Sequence, residues 1–149
     1  MLGKLSEEQI RELLGGQLIG RIGCHADGLT YVVPVNYLYD GVCIFAHSGQ
    51  GLKIDMMRKN PEVCFEVDLI KNVNDWKCVI LQGTFQEISD LREKEEVLQK
   101  LINKVVPFLA AGAGPSHGVT DDEYAIGDTV ELVLYKIIIK EMSGRFEHS

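Results

Sequence analysis

The sequence lacks the features of several protein classes. None of its apolar runs approaches the ~20 residues that a membrane-spanning helix needs. We expect no leader peptide, because the first helix signal begins directly after Met1–Leu5. Positive charge is scarce, since 15 Lys and Arg stand against 22 Asp and Glu, and a nucleic-acid surface would be basic. We therefore expect a cytoplasmic protein that binds neither membranes nor nucleic acids.

Closely spaced metal ligands are also lacking. The four cysteines (Cys24, Cys43, Cys64 and Cys78) form no C-x-x-C pair, and the four histidines form neither H-x-H nor H-E-x-x-H. A metal site would need such spacing. Each cysteine lies in or beside an apolar run, which is typical of small buried side chains. The sequence predicts no metal site.

What the sequence does contain is a series of short apolar runs separated by turn signals. Asp27-Gly28 and Asp40-Gly41 are hairpin signals, so the runs around them predict an antiparallel meander. A closed or split barrel would leave few strand edges exposed. We predict a mainly β fold with flanking helices, a six-stranded antiparallel split β-barrel. The predicted strands are 17–24, 29–39, 42–46, 63–69, 76–88 and 130–139, and the predicted helices are 6–14, 49–59 and 89–104.

This fold is predicted as a single domain over residues 1–149, with a flexible loop at about 107–128. The loop contains A-A-G-A-G-P followed by an acidic stretch. A loop of this length in a compact domain often forms a lid or contacts a partner.

The stretch I-F-A-H-S-G-Q-G-L-K, residues 44–53, suggests an anion site. It reads as a strand, then His47-Ser48, then two glycines and a lysine at the head of a helix. A helix N-terminus offers unpaired N–H groups and about half a positive charge, so Ser48 and Lys53 could help it to hold a phosphate. The alternative is that Ser48 only caps the helix, Lys53 is solvated and His47 has no chemical role.

The preceding strand contains a proline. Pro34 cannot donate a hydrogen bond to a neighbouring strand, which predicts that one edge of residues 31–37 is unpaired. Such an edge suits a flat heterocycle with polar rim atoms, but a plain edge strand explains it equally well.

Taken in order, the segments G-R-I-G-C, Y-V-V-P-V-N-Y, I-F-A-H-S-G-Q-G-L-K-I-D and N-P-E-V-C-F-E-V-D resemble the FMN-binding split barrels related to pyridoxamine 5′-phosphate oxidase. Within them, the resemblance is to the 5-nitroimidazole-resistance type and covers roughly residues 5–88. It implies a homodimer with two FMN molecules at the interface. The isoalloxazine and ribityl groups would be lined by Val33, Pro34, Val35 and Asn36. The phosphate would lie at His47, Ser48 and Lys53. The partner would reach the flavin with Trp76, Lys77, Cys78 and Val79.

The resemblance also implies an activity. We expect an oxidoreductase that passes electrons from a reduced nicotinamide to a small acceptor such as a nitroaromatic, with His47 as the candidate proton donor. A non-catalytic flavin carrier or sensor is the main alternative. A haem-binding barrel, with His47 or His25 as axial ligand, and a deazaflavin-binding barrel are two others. The C-terminal residues 143–149 lack the basic segment that grips the substrate phosphate in pyridoxamine-phosphate oxidases, so that activity is not expected.

Overall fold

The computed structural model describes residues 1–110 and 132–149. Strands and helices follow one another in the order β1 Leu2–Lys4, α1 Glu7–Gly16, β2 Ile19–Ala26, β3 Leu29–Tyr39, β4 Cys43–Ser48, α2 Leu52–Lys59, β5 Glu62–Asn72, β6 Asp75–Glu87, α3 Leu91–Ala110 and β7 Val133–His148.

Six strands close an antiparallel ring. The sheet order is β7-β4-β3-β2-β5-β6, and β6 pairs again with β7 along most of its length. The six-stranded split barrel is therefore confirmed. The structure adds β1, which pairs with the end of β7 outside the ring. Three residues are too few to show a periodic pattern, so the sequence did not reveal this strand.

Both predicted hairpin turns are present. Asp27 and Gly28 both have positive φ, 52° and 79°, as a two-residue hairpin turn of the primed type requires. The second turn is held by the Asp40 carboxylate, whose Oδ1 accepts hydrogen bonds from the N–H groups of Val42 and Cys43 at 2.8 and 2.7 Å.

The ring is split between β3 and β4. Only Tyr37, Leu38 and Tyr39 of β3 pair with β4. In the described part of the chain, residues 29–36 pair with β2 alone, and Pro34 lies opposite Arg21 in that pairing. Since the Tyr37 N–H donates to Leu18 on the β2 side, the alternation of a strand turns the backbone groups of Pro34 toward the open edge. The unpaired edge is thus confirmed, with the proline where an N–H would otherwise be unsatisfied.

The helices and the last strand differ from the prediction at their ends. Helix α1 has the predicted capping box between Ser6 and Gln9 but continues through Gly15-Gly16, and α2 begins three residues late, at Leu52. Helix α3 includes residues 107–110, so the start of the predicted loop is helical, whereas 111–128 lie outside the described residues. Strand β7 runs nine residues past the predicted end at 139, because pairing with β6 continues through residues that alternate weakly.

Two apolar clusters stabilise this arrangement. The larger fills the ring and includes the fully buried Tyr37, Phe65 and Leu81, and the underside of α2 closes it with Ile54 and Met57. The smaller lies under α3, where helix residues pack against the outward side of the ring: Val97, Leu98, Leu101, Leu134 and, partly buried, Leu38 and Phe45. Tyr31 and Val33, on the open part of β3, pack against the rim of the larger cluster and are only partly buried.

Candidate functional site

A pocket of about 230 Å³ lies beside the inward side of β3 and the start of α2. Tyr31 and Val33 are two residues apart on β3, so their side chains project from the same face and form one wall. The loop between β4 and α2 forms the other wall. The full lining is Tyr31, Val33, Ser48, Gly49, Gln50, Gly51, Leu52 and Lys53.

The helix that begins at this pocket carries no side-chain cap within the described residues. Its N-cap is Gly51, and the first backbone bond runs from the Asp55 N–H to the Gly51 carbonyl at 3.1 Å. The Ser48 hydroxyl instead donates to the Gly49 carbonyl at 2.8 Å, so the idea that Ser48 caps α2 is wrong. The first-turn N–H groups and the positive end of the helix dipole are therefore available to an anion in the pocket.

The two loop glycines are not required by the packing of the chain itself. A Cβ placed on Gly49 or Gly51 would meet no atom within 4 Å, and neither residue has the positive φ that favours glycine. At Gly20, by contrast, a Cβ would lie 2.4 Å from the Phe65 ring. The space next to Gly49 and Gly51 is open, so the site fits a phosphate that approaches the backbone closely.

An arginine ties this loop to the barrel. Arg58 Nη1 donates to Gln50 Oε1 at 3.0 Å, and its Nε and Nη2 contact Glu87 Oε1 at 2.9 and 2.7 Å. Gln50 lies between the two loop glycines and Glu87 is the last residue of β6, so one guanidinium links the pocket to the closed part of the ring.

His47 and Ser48 face opposite sides of the sheet. Strand β4 continues to Ser48, with His47 opposite Leu134 and Ser48 opposite Val133, so strand alternation separates the two side chains. Ser48 lines the pocket, whereas His47 shares the face of Phe45. Burial, with a smaller contribution from the charge of Lys53, lowers the pKa of His47 to about 4. The imidazole is therefore uncharged at neutral pH.

The four residues Val33–Asn36 do not form one surface. Val33 lines the pocket and Val35 is buried in the ring, whereas Pro34 and Asn36 project from the outward side. A ligand along this edge would contact backbone groups together with side chains from both faces.

Trp76, Lys77, Cys78 and Val79 lie far from the pocket within one copy. Trp76 is opposite Glu147 near the end of β7, whereas Ser48 is opposite Val133 at its start. The Trp76 Nε1 donates to Glu147 Oε2 at 3.1 Å. The Cys78 thiol donates to Glu66 at 3.3 Å, and burial together with this carboxylate raises the pKa of Cys78 to about 12. Lys77 is exposed and the Val79 side chain is fully buried.

The sequence reading missed Tyr31, Gln50 and Leu52 in the pocket lining, and Arg58, which contacts Gln50 from outside the lining. Tyr31 could have been found from the period-two alternation that places it beside Val33. The Arg58 contact had no sequence signal, because eight positions separate it from Gln50.

Other site types receive no support within 1–110 and 132–149. No three His, Cys, Asp or Glu side chains gather there as a ligand set for a metal ion. Of the helices in these ranges, none has both the length and the apolar run needed to cross a bilayer.

Comparisons with known proteins agree with this fold. An uncharacterized protein of Rhizobium meliloti (strain 1021) is 31% identical over 84 residues, 56% of each chain, so the chain spans about half the length of that relative. A FAD-binding protein from Mesorhizobium loti is 27% identical, with 98% of both chains covered and a TM-score of 0.77. A candidate 5-nitroimidazole antibiotic resistance protein from Bacteroides thetaiotaomicron is 19% identical, with 98% of this chain and 87% of that chain covered and a TM-score of 0.74, which shows the shared fold alone.

A family model described as pyridoxamine 5′-phosphate oxidase matches residues 6–146, nearly the whole chain. This match agrees with the split barrel. The chain belongs to the pyridoxamine 5′-phosphate oxidase family.

Proposed function

We propose that the chain binds FMN, with the 5′-phosphate in the pocket between β3 and the start of α2. The observation that carries the proposal is the combination in one pocket of an uncapped helix start, the two open glycines and the charged Lys53. A phosphate dianion gains charge-assisted hydrogen bonds from such a set. The unpaired edge of β3 leads away from this pocket and offers backbone groups to the rest of the flavin.

Riboflavin lacks the phosphate and therefore tests the assignment. The wild-type protein should bind FMN at least tenfold more tightly than riboflavin, because a hydrogen bond to a charged group contributes about 1.5–3 kcal/mol. Lys53→Ala should weaken FMN binding at low salt and leave riboflavin binding nearly unchanged. Lys59→Ala is the matched control, since Lys59 lies at the other end of α2 and pairs with Asp27 at 2.8 Å. Equal affinities of the wild type for FMN and riboflavin would refute the phosphate site.

FAD is the second candidate cofactor. It contains the same riboflavin 5′-phosphate group, and a similar protein, 27% identical, is a FAD-binding protein. The absorption spectrum of the protein as isolated separates a flavin from haem. Release of the cofactor followed by chromatography distinguishes FMN from FAD.

A second copy of the chain would complete the flavin site. The outward face of β2, β3, β5 and β6 carries the exposed apolar side chains Val32, Ile70 and Ile80 around a groove of about 700 Å³. Trp76 and Cys78 lie on this same face, and one copy cannot bring them to its own pocket. Exposed apolar side chains grouped on one face are typical of interaction sites.

A charge placed on this face should break the dimer. Ile80→Asp should give a monomer with weakened flavin binding, since Ile80 is 41% exposed on the outward face. Val42→Asp is the matched control, because Val42 is 71% exposed but lies at the β3–β4 turn. Sedimentation equilibrium measures both variants. A wild-type monomer that holds flavin stoichiometrically at micromolar concentration would contradict a shared site.

The proposed activity is electron transfer from a reduced nicotinamide to a small acceptor such as a nitroaromatic. The flavin supplies the redox chemistry when bound, and the protein supplies orientation and electrostatics. The alternative of a flavin carrier or sensor predicts binding without turnover. Nicotinamide-dependent reduction of a nitroaromatic by the flavin-loaded protein decides between them.

A further inference from the structure

The phosphate loop, residues 49–51, is held weakly by its own packing. A Cβ added at either glycine would meet no atom within 4 Å, and the Ser48 hydroxyl donates to the adjacent Gly49 carbonyl. A glycine-rich loop has high conformational freedom, so ordering it around a phosphate costs binding free energy. A contact that orders the loop beforehand would reduce this cost.

Arg58 makes such a contact from the far end of α2. Side chains on a helix tilt toward its N-terminus, which lets Arg58 reach back along the helix to Gln50 Oε1 at 3.0 Å. The same guanidinium is anchored to Glu87 at 2.7 Å, and Glu87 pairs with Tyr135 inside the closed ring. The middle residue of the loop is therefore tied to a rigid element.

The positive charge of Arg58 is paired with the carboxylate of Glu87. Both its Nε and Nη2 contact the Glu87 carboxylate, and in the described residues Arg58 is not among those that line the pocket. A cation paired in this way is suited to fixing geometry rather than to binding the ligand itself.

We propose that Arg58 is a positioning residue that holds the phosphate loop in its binding shape through Gln50. The proposal rests on the phosphate site assigned above. It predicts that Arg58 contributes to FMN affinity and not to riboflavin affinity, and that Arg58 and Gln50 act as one unit.

The variants Arg58→Met, Gln50→Ala and the double variant test this in the full-length protein, with dissociation constants for FMN and riboflavin measured by flavin fluorescence. Each single variant should weaken FMN binding about tenfold, the lower end of what outer-shell partners contribute at metal sites. Riboflavin binding should change less than twofold. The double variant should match the single variants, because removal of either partner breaks the same link. Lys59→Met, the adjacent cation on α2, is the control and should leave both affinities unchanged.

Several results would overturn the proposal. If Arg58→Met retains the wild-type ratio of FMN to riboflavin affinity, Arg58 does not serve the phosphate. If the effects of Arg58→Met and Gln50→Ala multiply in the double variant, Arg58 acts on the ligand independently of Gln50. If Arg58→Met fails to fold, Gln50→Ala still tests the link, and an unchanged affinity ratio there refutes it. A wild type that does not prefer FMN over riboflavin refutes the phosphate site itself. If the wild type and Lys53→Ala behave as expected and only the Arg58 result fails, the phosphate site stands and the positioning role of Arg58 is refuted.

Discussion

The partly buried imidazole of His47 should make folding stability depend on pH in a defined window. Its pKa is about 4 in the folded protein, against 6.5 for an unperturbed histidine, and burial is the main cause. The unfolded chain therefore takes up a proton at a higher pH than the folded chain does. The stability linked to His47 is complete above about pH 6.5 and is lost progressively as the pH falls to about 4. The full difference corresponds to about 3 kcal/mol.

Urea denaturation of the flavin-free protein at several pH values between 4 and 7 measures this effect. Other groups titrate in the same range, and Glu66 acts in the opposite direction, since burial and the neighbouring Asp68 raise its pKa. The informative quantity is therefore the difference in unfolding free energy between the wild type and His47→Gln, because both proteins retain Glu66. Between pH 7 and pH 4 the unfolding free energy of the wild type should fall by about 3 kcal/mol more than that of His47→Gln. A constant difference across the range would show that His47 does not have the lowered pKa described.

The same depressed pKa bears on the proton-donor hypothesis. An imidazole with a pKa near 4 carries almost no proton to donate at neutral pH, and its side chain faces away from Ser48. We therefore expect His47→Ala, fully loaded with flavin, to reduce a nitroaromatic at a rate within a few fold of the wild type. General acid catalysis contributes about 10²–10⁴-fold, so a loss of two orders of magnitude would identify His47 as the acid.

Three further substitutions test the barrel itself. The Tyr135 hydroxyl is buried without a hydrogen-bond partner in the described chain. Tyr135→Phe should therefore leave the free energy of unfolding unchanged or raise it by up to about 1–3 kcal/mol. A clear loss of stability in thermal unfolding would mean that a bound water satisfies the hydroxyl. Gly83→Ala should destabilise by about 1–3 kcal/mol, since the new Cβ would lie 2.6 Å from the Ile138 carbonyl oxygen, and an unchanged melting temperature would contradict this close approach. Gly15→Ala should stabilise α1 by about 0.5–1 kcal/mol because nothing lies within 4 Å of the new methyl group, and a destabilised variant would argue against the helix reaching Gly16.

Features that depend on local chemistry were predictable from the sequence. The two hairpins follow from Asp-Gly pairs, the start of α1 from the Ser6–Gln9 capping box, and the open edge of β3 from Pro34. In each case the chemistry of one or two residues determines the local structure. Asp-Gly adopts the positive φ angles of a tight turn, Ser6 accepts from a free N–H at the helix start, and Pro34 has no N–H to pair. The closed ring also followed, because a chain of hairpins with no cover for its edges is stable when the edges meet.

Features that depend on distant pairing were not predictable. Strand β7 continues to His148 because β6 pairs with it, although residues 140–148 show little apolar alternation of their own. Pairing with the first half of β7 carries β4 through His47 to Ser48, and strand alternation then makes these neighbours face opposite sides. Arg58, Gln50 and Glu87 meet only after α2 is packed against the ring.

If the flavin site is shared between two copies, as proposed, its affinity depends on assembly of the dimer. The phosphate loop and α2 belong to one copy, and the proposed ordering of the loop comes from Arg58 and Glu87 of that same copy. Trp76 and Cys78 would come from the other copy, so the flavin ring would be gripped only in the assembled dimer. A ligand that binds only the assembled form stabilises it by mass action. Saturating flavin should therefore lower the dissociation constant of the dimer as well as raise the melting temperature, whereas a flavin held by one copy alone would raise the melting temperature and leave dimer dissociation unchanged.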